Sequence, residues 1–294
     1  MKQVKEIVNA KNVYKSGLTG KGIRIALLDS GVYEHLDLQG RIIYFADYVN
    51  NKTYCYDDNG HGTHIAGIIA GNGYASKERL TGMAPEAELL VFKILDEKGN
   101  GKTQDALKAL DWILENHIRY QIRVLNFSMG YKPNANEKMQ RLLLDKLKRL
   151  WEEGVIVITA AGNNGPHGAT ITVPGILREV ITVGACEYAS SYRTIMADYS
   201  GRGPTQCCVV KPEILAPGTE ILSLSNYKNG YEKKSGTSMA TPVVAGAMAL
   251  ALQKRSELTP VEIKILLYDS VKRIKETKNG FWGILNVDKL MKML

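Results

Sequence analysis

Four residues of this chain, Asp29, His61, Asn163 and Ser238, have the types needed to open an acyl bond together. Ser238 lies in Ser235-Gly236-Thr237-Ser238-Met239-Ala240-Thr241-Pro242, and an uncharged run of small residues, 243–251, follows at once. Small residues let neighbours approach from every side, so the run reads as a buried helix with Ser238 at its mouth. Backbone N–H groups are unpaired there and the helix dipole favours negative charge, a setting suited to a nucleophile whose product is an oxyanion. Taken alone, the pattern is more commonly a Ser/Thr cap on a core helix. His61 opens a second small-residue stretch, His61-Gly62-Thr63-His64-Ile65-Ala66-Gly67, after the turn Asp57-Asp58-Asn59-Gly60. His61 and His64 share one helical face. A metal pair at that spacing needs further ligands and a glutamate base, and no glutamate stands in this stretch. One histidine is therefore expected to move a proton and the other to pack. Asp29 closes an apolar run, and Asn163 follows another in Ala160-Ala161-Gly162-Asn163-Asn164-Gly165.

The chemistry this set could perform is nucleophilic acyl transfer. The hydroxyl needs a base, the base needs an acid to fix its tautomer, and the oxyanion needs donors. Chain order narrows the choice. All five histidines (His35, His61, His64, His117, His167) precede Ser238. That excludes the Ser-Asp-His order of the α/β hydrolases, although Gly236-Thr237-Ser238-Met239-Ala240 loosely mimics their elbow; the order acid, histidine, serine remains.

Positioning these groups requires a scaffold. Apolar runs predict strands at 23–28, 89–95, 124–127, 155–161 and 180–184, and amphipathic patterns predict helices at 103–115 and 137–153. The second helix has Met139, Leu142, Leu143, Leu147 and Leu150 as its apolar stripe. Thr259-Pro260-Val261-Glu262 starts a helix with proline in its first turn, and a glycine-marked tail, 280–283, leads to a last one. Strands alternating with helices predict a three-layer α/β fold, a mostly parallel central sheet with helices on both faces. The carboxyl ends of such strands line one edge, where open α/β sheets place their sites. No repeat, linker or low-complexity segment interrupts the pattern. One domain spanning 1–294 is expected, with 1–22 a short N-terminal extension that holds a short helix.

Composition sets the outer bounds. The apolar fraction of 45% and charged fraction of 23% are those of a soluble globular protein. The net charge of +8 is spread and interleaved with acids, without stacking aromatics, so no nucleic-acid partner is expected. No run favours a membrane span, and the first ten residues lack an apolar signal core. Cys55, Cys186, Cys207 and Cys208 form no CxxC pair, and free thiols are the default. A cytoplasmic protein is expected; the alternative is the mature form of a secreted one.

With these residues in view, the chain resembles the subtilases, the subtilisin-like serine proteases, over nearly its whole length. Asp29-Ser30-Gly31, the His61 to Gly67 stretch and Gly236-Thr237-Ser238-Met239-Ala240-Thr241-Pro242 carry the likeness, and the Asn163 segment resembles the family's oxyanion segment. Val8-Asn9-Ala10, Asp57-Asp58-Asn59-Gly60 and Gly82-Met83-Ala84-Pro85-Glu86-Ala87 are most similar to the short intracellular bacterial members. The resemblance implies a serine endopeptidase that cuts extended or unfolded polypeptides through an acyl-enzyme. Ser238 would attack, His61 would carry the proton, Asp29 would orient the imidazole, and Asn163 with the Ser238 N–H would hold the oxyanion; His64 would be structural. Gly99-Asn100-Gly101 and Ser128-Met129-Gly130 resemble the two segments that clamp substrate as an added strand. The primary pocket would lie between the Ser128 segment and 160–163, including Ala161 and Gly162, with Thr172 near its floor and an apolar or aromatic preference before the cut. Many members hold calcium in the loop matching 71–82. Here that loop carries Lys77 and Arg79, with Asn72 and Glu78 as its obvious side-chain oxygens, so no metal is expected there and no cofactor is required. A weak calcium site elsewhere stays open. A peptide-binding pseudoprotease is the rival from another class, and the intact set of four groups argues against it.

Overall fold

The computed structural model describes residues 1–131, 137–188, 194–274 and 282–294. Its strands are β1 (Arg24–Asp29), β2 (Ile42–Asp47), β3 (Glu88–Lys93), β4 (Ile122–Phe127), β5 (Ile156–Ala160), β6 (Ile181–Tyr188), β7 (Thr194–Met196), β8 (Ile214–Pro217), β9 (Ile221–Leu224), β10 (Tyr231–Lys234) and β11 (Gly283–Ile284). Its α-helices are α1 (Lys2–Ile7), α2 (His61–Ala70), α3 (Thr103–Asn116), α4 (Glu137–Glu152), α5 (Thr237–Lys254), α6 (Pro260–Ser270) and α7 (Val287–Met293). The main sheet runs β11-β8-β6-β5-β4-β1-β3-β2, all parallel, with β7 antiparallel on β6. β9 and β10 form a separate hairpin.

The helices form two packed layers. α2 joins β2 to β3, a step that runs the same way along the sheet as β3 to β4 and β4 to β5. Right-handed crossovers throughout would put α2 with α3 and α4; instead α2 packs on α5, and α3 packs on α4. The direction reverses around β1, and ligands of open α/β sheets bind beyond the carboxyl ends at such a point.

α5 is the axis of the first layer. Residues 239–252 are all buried, with Gly246 lying against Met83. Such a helix needs small residues on every side, which is why its sequence has no polar face. α4 shows the opposite pattern. Leu143, Leu147 and Leu150 are fully buried at i, i+4 and i+7, whereas Leu142 is 41% exposed. Leu142 therefore does not belong to the apolar stripe, because one residue turns the helix about 100° away from Leu143. α6 starts with a capping box, Thr259 Oγ1 accepting from Glu262 N–H and the Glu262 carboxylate accepting from Thr259 N–H. The first residues also join the core: Val4, Val8, Ala10 and Val13 are buried, and Val8 O accepts from Val287 N–H.

Several strands escape the sequence reading. β2 is an edge strand whose Tyr44 stacks on Trp112 at 4.3 Å, and β7 to β10 are three or four residues each. Of the two glycines in the glycine-marked tail, Gly283 pairs within β11 beside β8; Gly280 lies outside the described residues. No helix among the described residues is long and apolar enough to cross a membrane.

Candidate active site

Asp29 is the last residue of β1 and is fully buried. Its Oδ1 accepts from the Ser30 N–H at 2.8 Å and from His61 Nδ1 at 2.7 Å; its Oδ2 is buried without a hydrogen-bond partner. A carboxylate only accepts, so Nδ1 carries the proton and Nε2 of a neutral His61 is left with its lone pair. Burial works to lower the His61 pKa. The charge and hydrogen bond of Asp29, helped by Asp57, outweigh burial and the Lys234 cation and hold it above the ordinary histidine value.

The turn after Asp29 demands glycine. Gly31 has φ +111°, and a Cβ there would collide with the Tyr56 carbonyl. His61 begins α2, and the turn before it is organised by Asp57, which is 7% exposed. Asp57 Oδ1 accepts from Ser30 Oγ (2.8 Å), Asn59 N–H (3.1 Å) and Gly60 N–H (2.8 Å). Its Oδ2 accepts from the N–H (2.9 Å) and hydroxyl (2.6 Å) of Thr63. Ser30 Oγ in turn accepts from Gly62 N–H at 2.9 Å. This carboxylate therefore caps α2 and ties it to the Asp29 turn. Sequence reasoning took Asp57 only as a turn residue; its signal was an acid six residues ahead of Thr63, too common a pattern to single out.

His64 does not face Asp29. It is fully buried, and its Nε2 donates to the carbonyls of Ile221 (3.0 Å) and Glu232 (3.2 Å), joining α2 to β9 and β10. Burial holds its pKa down at about 3, so it is neutral at working pH. Among the described residues no cluster of three or more His, Cys, Asp or Glu could hold a metal ion.

Ser238 is the second residue of α5. The cap, Gly236, has φ +154° and donates its N–H to Gly218 O at 2.8 Å, which brings the chain into the helix beside Asn163. Ser238 Oγ donates to the Ser128 carbonyl at 2.7 Å rather than to His61. Asn163 follows the Gly162 turn beyond β5. Its Oδ1 accepts from the Thr237 N–H (2.9 Å) and hydroxyl (3.0 Å), which leaves the amide NH2 as the end free to meet a ligand. Thr237 Oγ1 also accepts from Gly162 N–H at 3.2 Å.

The expected substrate segments adjoin one another. Leu95 bridges Gly101 and closes the loop 96–100, and Tyr131, next to 128–130, bridges Val173. Met129 Cε faces Gly101, and Asp96 Oδ1 fixes the loop holding Gly99 and Asn100 by accepting from Lys98 and Asn100 N–H. Thr172 is 4% exposed, and its Oγ1 lacks a partner. A Cβ on Gly130 or Gly162 would run into the Thr172 side chain, which therefore stands between these two segments. Ala161 is buried behind Gly162, with its carbonyl accepting from Thr172 N–H at 3.1 Å. A cavity of about 680 Å³ lined by Trp151, Lys264, Tyr268 and Trp282 contains none of these groups.

The profile of the subtilase family matches residues 20–286. Serine protease AprX of Bacillus subtilis (strain 168) is 41% identical over 300 aligned residues, 95% of this chain and 68% of AprX. Subtilisin Savinase of Lederbergia lenta is 32% identical over 282 residues, 96% of this chain and 95% of its own. The structure of the S41 psychrophilic protease matches with a TM-score of 0.83 at 29% identity, covering 97% of both chains. Family profile, sequence relatives and sheet topology agree: the chain belongs to the subtilase family of serine endopeptidases.

Proposed function

We propose that Asp29, His61 and Ser238 act as the triad of this serine endopeptidase, with Asn163 and the Ser238 N–H as its oxyanion donors. The single observation that carries the reading is the 2.7 Å bond from His61 Nδ1 to Asp29. It fixes the tautomer that leaves Nε2 as a base. An extended peptide docks as a strand against Ser128, Met129 and Gly130 on one side and Gly99, Asn100 and Gly101 on the other. A peptide N–H that takes the Ser128 carbonyl displaces Ser238 Oγ, which turns about χ1 to His61 Nε2. Ser238 Oγ then attacks the scissile carbonyl while His61 takes its proton, and Asp29 stabilises the imidazolium. The carbonyl oxygen gains negative charge between the Asn163 amide and the first turn of α5. Collapse passes the proton from His61 to the leaving amine. Water repeats the sequence on the acyl-enzyme and releases the acid.

Thr172 sets the depth of the primary pocket in this reading. Its side chain fills the space between Gly130 and Gly162, which narrows the expected apolar or aromatic preference before the cut to small and medium apolar side chains. The loop 71–82 does not suit calcium. Asp37 Oδ1 already accepts from Ala75 N–H (2.7 Å) and Oδ2 from the Tyr231 hydroxyl (2.8 Å). Asn72 Oδ1 accepts from Tyr74 N–H, Lys5 Nζ donates to Thr81 Oγ1 at 2.6 Å, and Arg79 Nε donates to Ser76 O. Engaged oxygens beside cations make a poor site for a hard cation, and we read the enzyme as needing no cofactor. We place it in the cytoplasm, since its four cysteines are free and two are exposed, a state that reducing compartments preserve. Polypeptides are its partners in this reading. A Ser238→Ala variant is expected to lose cleavage of unfolded casein, and persistent cleavage at the wild-type rate would overturn the assignment.

A further inference from the structure

Lys93 is the last residue of β3, in register with Asp29 on β1, and it is fully buried. Its ammonium donates three hydrogen bonds of 2.7 Å each, to the Ser30 carbonyl, the Leu95 carbonyl and Asp58 Oδ1. The Tyr56 ring lies 5.0 Å from Nζ. All three N–H donors are thus used, and the three acceptors belong to three parts of the site. Ser30 follows Asp29. Asp58 sits in the turn that delivers His61. Leu95 starts the loop that carries Gly99, Asn100 and Gly101. Asn59 spans the same two segments, donating from Nδ2 to Glu97 O at 3.1 Å and accepting at Oδ1 from His61 N–H at 3.2 Å.

A lysine is an expensive residue for a buried strand end. Its charge must be paired and hydrogen-bonded there, and an apolar side chain of the same length packs without that cost. The ammonium gains its value from direction: three donors on one nitrogen fix three acceptors relative to each other. We propose that Lys93 is a positioning residue that sets the substrate-clamping loop 96–101 in register with the Asp29–His61 pair, so that a docked peptide meets the base at the correct place. The proposal rests on the triad reading above. It makes no claim that Lys93 touches substrate.

The register predicts a dependence on substrate length. A peptide long enough to lie along the loop transmits the loop's position to the scissile bond, whereas a single-residue ester does not reach it. Lys93→Met keeps the stem and removes the three donors. Displacement of about 1 Å at a reacting centre costs roughly 100-fold. The variant is therefore expected to lose about 100-fold in kcat/KM on a hexapeptide amide, chiefly in kcat, and under 10-fold on the ester. A second readout is the acid limb of the pH–rate profile. The charged groups acting on His61 are Asp29 on β1, Asp57 ahead of α2 and Lys234 on β10, and the titratable His64 is neutral. All are retained in Lys93→Met and in Asp58→Asn. Removing the Lys93 cation moves the limb to higher pH, and removing the Asp58 anion moves it to lower pH. Asp58 is on the surface turn, with its side chain 33% exposed, so Asp58→Asn carries the test if Lys93→Met does not fold. It is expected to lose 3- to 10-fold on the hexapeptide and less on the ester.

Equal losses on both substrates, or limbs that move the same way or not at all, would show that Lys93 only fills space and would overturn the proposal. Wild-type enzyme titrated with phenylmethylsulfonyl fluoride is the control. Failure of the wild type to cleave or to form an adduct refutes the triad reading itself, whereas a working wild type with length-independent variants refutes only the role of Lys93.

Discussion

Asp57→Asn tests whether the turn before His61 is held by a buried charge. The wild-type carboxylate receives five hydrogen bonds, three on Oδ1 and two on Oδ2. Asparagine has one acceptor oxygen. With that oxygen in the Oδ1 position, the amide NH2 faces the N–H and hydroxyl of Thr63. The hydroxyl can rotate, but the N–H cannot, and an orphaned buried donor costs about 1–3 kcal/mol. The three bonds that remain change from charged to neutral acceptors, a loss of roughly 1 kcal/mol each before relaxation. The expected sum is about 3–5 kcal/mol after partial relaxation, a large share of the roughly 5–15 kcal/mol that holds a domain folded. The assay is urea unfolding followed by tryptophan fluorescence, with Ser238→Ala in both proteins to prevent self-digestion. A loss below about 1 kcal/mol would refute the argument, since it would mean that the Thr63 N–H finds another acceptor. The same variant without Ser238→Ala should show its acid limb at lower pH, because the Asp57 charge helps to hold the His61 pKa up.

Other outcomes follow from the same geometry. The raised His61 pKa places the acid limb of wild-type kcat/KM above the ordinary histidine value of about 6.5. Stability runs the other way: the Asp29–His61 pair contributes fully below the unfolded pKa and less as pH rises through the folded one. An acid limb below about 6.5 would contradict the reading. Asp29→Asn is expected to cut kcat by roughly 10⁴, the effect of holding the wrong tautomer; steady-state kinetics checks it, and a loss under 10-fold would count against the role. Asn163→Ala should lower kcat by about 10²–10³ with little change in KM, a magnitude measured on a subtilisin. Thr172→Gly should raise kcat/KM for a large aromatic residue before the cut relative to alanine there, read from a peptide series. Cys55 is half-buried, and burial with Glu34 pushes its thiol up to about 11. Iodoacetamide at pH 8 is therefore expected to modify the exposed Cys207 and Cys208 first and to leave activity intact, as peptide mapping will show.

The sequence made most of this legible where composition and period were unambiguous. The uncharged small-residue run after Ser238 has one physical use, a helix buried all round, and α5 is that helix. The apolar runs ending at Asp29 and Ala160 are central strands buried on both faces, and their ends are where the expected residues meet. Short edge and hairpin strands were harder. β7, β9 and β10 pair with near neighbours in the chain but are only three or four residues each, too short for a period to announce them. Leu142 was misplaced because a charged helix leaves its apolar face uncertain by one residue. The supporting shell was the least visible part. Asp57 and Lys93 look like ordinary charged residues until the fold buries them, since a lysine at a strand end and an acid in a turn are common on surfaces. Their meaning lies in hydrogen bonds to segments about 27 to 63 residues away, Ser30 in each case.

The account stands most directly on the nucleophile. Wild-type enzyme treated with phenylmethylsulfonyl fluoride should be followed at once by casein cleavage and by intact mass with peptide mapping. The account predicts a single sulfonyl adduct on Ser238 whose formation parallels the loss of cleavage. Cleavage that continues after Ser238 is fully modified, or inactivation by an adduct on another residue, would contradict it.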